Sequence, residues 1–476
     1  MHRDGPDDPE NPRNFPNGLK WRITMIVALL NYMTPFASSV VTPAVFAYSK
    51  EFAITNSTVG SLTVSIFLLG YTIGPLIFAP LSEMYGRLIV MHATLAGFFI
   101  FTVCCAMSQN TTQMIIFRFL SGVAGSAPLS LGAGILSDIW APMELARAIA
   151  FFALGPLLGP VTAPVMAGFV VEKLDWRWVL WVLTIMVGSI ILIGFALYRT
   201  ETYPVVLLNR KATRLRAETG NPRLHTVFET ANNSGTTFKV AIVRPFKLLV
   251  LNPVVFSLGL FQAFVYGFLY LMFVTFPQLY QLHYHQKVGI AGLNYLAPGI
   301  GFLLGVAFCT PVIQYIFERL TAANGGVSRP EYRLPVLIFG GVFVPTGLFW
   351  YGWSAEKNLH WVMPLVGTAI FGFGMISVFG SVQTYLIDMS PRYAASAVSA
   401  ATVFRSLFAF AFPLFGQKLY DRLGYGWGNS LLGFIAIPMG VIVPLILYKY
   451  GEAWRLAADK RLDRSEMKHS GPILPQ

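Results

Sequence analysis

Residues 153–170 read ALGPLLGPVTAPVMAGFV, eighteen positions without a charge, in which Gly155-Pro156, Gly159-Pro160, Ala163-Pro164 and Ala167-Gly168 recur every four residues on nearly one helical face. Such a run is rare, because each interior proline removes a backbone hydrogen bond and kinks the helix. Inside a bilayer no water competes, the helix persists, the prolines bend it and free carbonyls, and the small residues let a second helix approach closely. The stretch therefore predicts a membrane-spanning helix made to pack against a neighbour.

The rest of the chain carries the same signal outward. Apolar stretches cover about 22–46, 59–80, 88–108, 112–136, 147–171 and 177–199; a polar segment of about fifty residues follows, and six more cover 254–278, 288–317, 334–354, 359–387, 396–419 and 427–449. Each is long enough to cross a hydrocarbon core that requires about 20 residues of helix. The 476 residues, 55% hydrophobic and 12% charged, suit a dozen spans better than a soluble globule. The expected organisation is an N-terminal tail over 1–21, a six-helix bundle over 22–199, a central loop over 200–253, a second bundle over 254–449 and a C-terminal tail over 450–476.

The net charge of +12 does not indicate a nucleic-acid partner, because the charges sit between the apolar runs. Of the 34 Lys and Arg residues, about 25 fall on the amino-terminal side of the predicted bilayer and about seven opposite, with Arg118 and Arg405 inside spans. The positive-inside rule then places both termini and the central loop in the cytoplasm. The Pro-, Asp- and Asn-rich start has no apolar core, so an uncleaved first helix is expected. Sequons at Asn56 and Asn110 fall in loops assigned outside, and a third at Asn232 in the cytoplasmic loop should stay unmodified. Cys104, Cys105 and Cys309 lie in apolar runs and suggest no disulfide framework. No P-loop, H-E-x-x-H or Gly-x-Ser-x-Gly pattern is present, so neither an enzyme nor an ATP-driven pump is indicated, and no cofactor or metal is expected.

The two halves echo one another: GFVVEKLDWRW (168–178) and GQKLYDRLGYGWG (416–428) occupy equivalent places. Paired halves suit alternating access around a site at the midplane. The junction GPLIFAPLSEMYGRLIV (74–90), with Glu83, Gly86 and Arg87, resembles the signature between the second and third helices of the major facilitator superfamily. IIFRFLSGVAGSAPLSLGAGILSDIW (115–140) is similar to that superfamily's arginine-containing fourth-helix motif, and the Gly/Pro run to the fifth-helix motif of its drug:proton antiporters, here through Gly155, Pro156, Gly159, Pro160, Pro164 and Gly168. DPENPRNFPNGLKW (8–21), ETYPVVLLNRKATRLRAETGN (201–221), PEYRLP (330–335) and the segment 385–428 look like the fungal twelve-span group of those antiporters. The resemblance implies an all-α protein of twelve transmembrane helices in two pseudo-symmetric bundles, acting at the plasma membrane as a monomeric, proton-coupled exporter of drugs, toxins or secondary metabolites.

It also implies roles. Glu83, Gly86 and Arg87 would gate the cytoplasmic side, joined in the second half by Asp388 and Arg405, with Arg405 paired to Asp388 or the adjoining loop. Gln314 stands where an acid is expected in TPVIQYIFERL (310–320), which weakens the second gate unless Glu318 and Arg319 compensate. Arg118 would couple transport. The helices that line a cavity in this superfamily would offer Asn31, Tyr32, Arg118, Gln262, Tyr266, Tyr270, Gln383 and Tyr385 to the substrate. Tyr266 and Tyr270, four apart with Gln262 one turn earlier, form an amphipathic stripe suited to a flat ligand. Carboxylates such as Glu83, Asp138, Glu172 and Asp388 lie only near span ends. Embedded arginines without embedded acids favour a neutral or anionic substrate, with a dicarboxylate exporter as the alternative and a non-transporting receptor as the rival of another class.

Overall fold

The computed structural model describes residues 8, 11–221, 224–226, 234–389 and 394–470; Asn232 and the loop residues 390–393 lie outside them. Every regular element among these residues is helical. The crossing helices of the first half are α1 (Asn17–Ser39), α2 (Ser57–Tyr85), α3 (Arg87–Ala106), α4 (Thr111–Gly125, continued as Ala127–Ile139), α5 (Pro142–Lys173) and α6 (Arg177–Leu197). Those of the second half begin with α7 (Pro253–Pro277), α8 (Leu296–Ala323), α9 (Leu334–Glu356) and α10 (Val362–Met389).

The last two are fused in one apolar stretch, Ser396–Ala458, whose 63 residues are far too long for a single crossing. Gly424 breaks it: with φ +72 and ψ 173 it leaves the helix, a conformation open to glycine and disfavoured for other residues. Glu356 accepts a hydrogen bond from the Gly426 backbone N–H at 3.2 Å, satisfying a donor that the break exposes. Helix α11 thus covers 394–423. Helix α12 starts at 425 and runs through a π-helical turn at Pro438–Ile442 into Val443–Ser470. The chain crosses twelve times.

Two compact units form, one from Met1–Thr55 with Ile66–Ile242, the other from Asn56–Ser65 with Val243–Gln476. Both are built inside out relative to a soluble protein. Ile185, Leu192, Ile300, Leu304 and Phe434 lie within spans and are more than half exposed, which suits them to acyl chains. The stretches holding α1 and α7 differ, being 78% buried against 39–61% for every other span. The first helix of each half is therefore an interior element, and its polar residues are candidates for function.

Three of the crossing helices open on an asparagine cap. Asn110 accepts from the Gln113 N–H at 2.9 Å to open α4, and Asn252 accepts from Val254 and Val255 to open α7. Asn56 likewise accepts from the Thr58 N–H, so both sequon asparagines assigned to outer loops are exposed residues at helix beginnings. Helix α3 is preceded by Gly86, which has no side chain to cap it.

Candidate functional site

The helix-5 run meets α1 backbone to backbone. A Cβ added to Gly155 would lie 2.8 Å from the nitrogen of Tyr32, and one on Gly159 would lie 2.7 Å from the Tyr32 oxygen. Ala163 and Ala167, standing where the antiporter pattern has glycine, are fully buried. Pro164 and Gly168 are buried in the same helix, while Pro156 is only partly covered.

The prolines do what their chemistry requires. Pro156 cannot donate to the carbonyl of Phe152 four residues earlier, and Asn31 Nδ2 on α1 donates to that oxygen at 2.9 Å. Pro164 likewise leaves the carbonyl of Pro160 open, and Ser39 Oγ donates to it at 3.0 Å. Asn31 and Ser39 are eight residues apart on one helix, close to the repeat that returns a side chain to the same face. Between them the Tyr32 hydroxyl meets Thr162 Oγ1 at 2.7 Å. The Asn31 amide is thus partly spent on architecture, though its Oδ1 and the hydroxyl of Thr34 are buried without partners among the described residues.

Arg118 is buried, and its Nη1 and Nη2 donate to the carbonyls of Ala37 and Ser38 at 2.8 and 2.9 Å. These are carbonyls of the last turn of α1, which the helix itself leaves open, and a cation at a helix C-terminus is further favoured by the backbone dipoles. The guanidinium also lies 4.6 Å from the Phe67 ring centre. Arg118 ties α4 to the end of α1.

At the start of α3 the structure gathers a cluster only part of which was anticipated. Arg87 Nη1 donates to Ser82 Oγ at 2.6 Å, and its Nε lies 3.5 Å from Asp138 Oδ2, an ion pair without hydrogen-bond geometry. The acid that meets Arg87 is thus Asp138, at the end of α4, while Glu83 is exposed and makes no ion pair among the described residues. Buried Glu201 supplies the missing cap of α3: its Oε1 accepts from the Arg87 N–H at 3.0 Å and its Oε2 from the Leu88 N–H at 3.2 Å. The same Oε1 accepts from the N–H groups of Thr202 and Tyr203, each at 2.9 Å. Gly86, at φ +104, makes this possible, because a Cβ there would run into the Glu201 carboxylate. The Tyr203 ring covers Arg87 at 4.8 Å, and burial, reinforced by the Glu83 charge, raises its phenol pKa and keeps it protonated. The signal for Glu201 was a deficit: a helix opening with Gly-Arg has orphan N–H groups that must find an acceptor elsewhere.

The second unit answers with its own cluster. Arg333 Nε donates to Asp388 Oδ2 at 3.0 Å and Nη1 to Gln314 Oε1 at 3.1 Å, while Gln314 Nε2 donates to Glu318 at 2.7 Å. Gln314 therefore links Arg333 to Glu318 by hydrogen bonds. The expected Arg405–Asp388 pair does not form: Asp388 ends α10 and meets Arg333, whereas Arg405 lies about 16 Å along α11 by helical rise, and the other expected partner, the adjoining loop at 390–393, lies outside the described residues. Tyr385, expected at the substrate, donates its hydroxyl to Glu331 at 3.3 Å, and Arg455 lies 3.7 Å from the same carboxylate oxygen.

On α7, Tyr266 and Tyr270 pack edge to face at 5.2 Å, and Gln262 is buried with its Oε1 unpartnered among the described residues. Arg405 extends over this face, 5.2 Å from the Tyr266 ring centre and 5.6 Å from that of Phe379 on α10. Gln383 is half-buried on the same helix α10.

Twelve apolar helices, interior first helices and charged clusters at helix ends define a polytopic membrane carrier. The family model of the Major Facilitator Superfamily matches residues 24–413, and the chain belongs to that superfamily. It is 43% identical over 453 residues to the efflux pump radE of Floropilus chiversii, covering 95% of this chain and 84% of that protein. It is 42% identical over 452 residues to the efflux pump vrtL of Penicillium aethiopicum, covering 95% and 89%. The fold is similar to that of a D-xylose-proton symporter, with a TM-score of 0.67 at 16% identity over 90% of this chain and 97% of that one. The protein is a multi-pass transporter of the superfamily.

Proposed function

We propose that the chain exports a small organic molecule, of the drug, toxin or secondary-metabolite kind, across the plasma membrane by proton-coupled alternating access, with both termini in the cytoplasm. One observation carries the reading: the Gly/Pro face of α5 lies backbone to backbone on α1, and α1 side chains serve the carbonyls its prolines free. This is the element through which the chain resembles antiporters, and relatives of about 42% identity named efflux pumps support the direction of transport.

In this reading Arg118 is a conformational link. Its two bonds to the end of α1 hold one arrangement of α1 and α4, and their rupture accompanies the change of state. Gly86, Arg87, Asp138 and Glu201 form the cytoplasmic gate of the first half, and Arg333, Asp388 and Gln314 that of the second.

The test uses inside-out vesicles from cells expressing the full chain, with labelled azoles and cycloheximide as probes. Accumulation above that of empty vesicles, requiring an acidic lumen and abolished by a protonophore, is expected. No accumulation of any probe, or accumulation indifferent to the protonophore, refutes the reading. A correctly localised R118A variant that exports at the wild-type rate removes Arg118 from coupling.

A further inference from the structure

The two arginines that lie within spans are in opposite states. Arg118 has both terminal nitrogens bonded to carbonyls of α1. Arg405, half-buried on α11, forms no ion pair or hydrogen bond with any described residue, and its Nε is buried without an acceptor. A guanidinium in a membrane span is costly and ordinarily meets a carboxylate or a carbonyl. Two aromatic faces, Tyr266 and Phe379, offset part of that cost by cation–π attraction but supply no hydrogen-bond acceptor.

What the site lacks among the described residues is an anionic oxygen, and what it already has is a pair of aromatic surfaces. The stripe of Tyr266 and Tyr270 extends those surfaces along α7. A guanidinium favours a carboxylate or acidic enol oxygen because its planar N–H fork matches two lone pairs, and rings beside it favour a flat apolar body. We infer that Arg405, caged by Tyr266 and Phe379, is a subsite for the anionic oxygen of a flat, largely apolar organic acid. Arg118 is not that subsite, because its donors are already engaged. The inference rests on reading the chain as a carrier of small organic molecules and adds the charge and shape of what it carries.

The experiment measures binding alone, so that it stands apart from transport. The full chain, purified in detergent, is titrated by thermal shift with benzoate, naphthoate and anthracene carboxylate, each against its amide. The wild type is expected to bind at least one acid roughly ten-fold more tightly than its amide, the order of one charge-assisted bidentate contact. R405Q and R405M should lose that preference, and R118Q should keep it while lowering the melting temperature more than either. No acid preferred over its amide by the wild type, or a preference surviving in R405Q or R405M, overturns the proposal. Failure of both variants to fold also overturns it, since an arginine without acceptors among the described residues should not be indispensable to the fold. Proton-driven export of neutral probes with no acid preference leaves the exporter reading intact and removes this one; acid preference without transport does the reverse.

Discussion

Asn31 on α1 donates its amide to the carbonyl of Phe152 on α5, the carbonyl that Pro156 leaves without a helical partner. A residue in one helix thus repairs a defect written into another, and the repair makes the contact specific. Asn31→Ala should destabilise the chain by about 1–3 kcal/mol, the range for a buried carbonyl stripped of its donor. In Pro156→Ala the helix supplies its own N–H to Phe152, so the loss caused by Asn31→Ala should shrink in the double variant. A double-mutant cycle on thermal unfolding in detergent reads this as a coupling of about 1 kcal/mol. Additive effects would show that the amide bond has no energetic weight.

Gly86 and Glu201 make a second such pair. Gly86→Ala brings both a strained positive φ and a collision with the carboxylate, and should cost about 1–3 kcal/mol. Glu201→Ala alone should cost a similar amount, because the Arg87 and Leu88 N–H groups lose their acceptor. Once Glu201 is gone the Cβ has nothing to strike, so the two changes together should cost less than their sum. Melting temperatures of the two single variants and the double check this.

The twelve crossings were legible because bilayer physics writes them in hydropathy, and the α5 face because glycine and proline at a four-residue spacing have few other uses. Partners were harder to read. Arg87 was visible, yet nothing local tells that Asp138, some fifty positions away, meets it while nearby Glu83 faces outward. Arg118 and Arg405 looked alike as charges inside spans, and only the carbonyls at the end of α1 separate them. Gln314 looked like a lost acid, since its role depends on Arg333 arriving from the turn before α9.

Tyr385 belongs with the charged cluster of its own unit. Tyr385→Phe removes one donor to Glu331, and Arg455 remains beside that carboxylate. The expected loss is about 1 kcal/mol of stability. The KM of any transported probe should stay at the wild-type value, and a several-fold rise in KM would return Tyr385 to the substrate path.

The Arg333 network permits a sharper test, because Gln314 plays two parts in it. Its oxygen accepts from Arg333 and its nitrogen donates to Glu318. Gln314→Glu would give Arg333 a second carboxylate but would set that charge against Glu318, one helical turn away, so the single change should gain nothing. Adding Glu318→Gln removes the repulsion and restores a donor, and the double variant should then exceed the wild type by about 0.5 kcal/mol, as suits a contact whose Gln314 side lies exposed. Asp388→Asn, by contrast, removes the charge that Arg333 holds at 3.0 Å and should cost about 1–2 kcal/mol. If this network holds the second unit's helices in one conformation, the double variant should also slow transport while Asp388→Asn shifts the balance of states in the opposite direction. Accessibility of single cysteines placed on α8 and α10, measured with a membrane-impermeant maleimide, would show whether the two variants move in opposite directions.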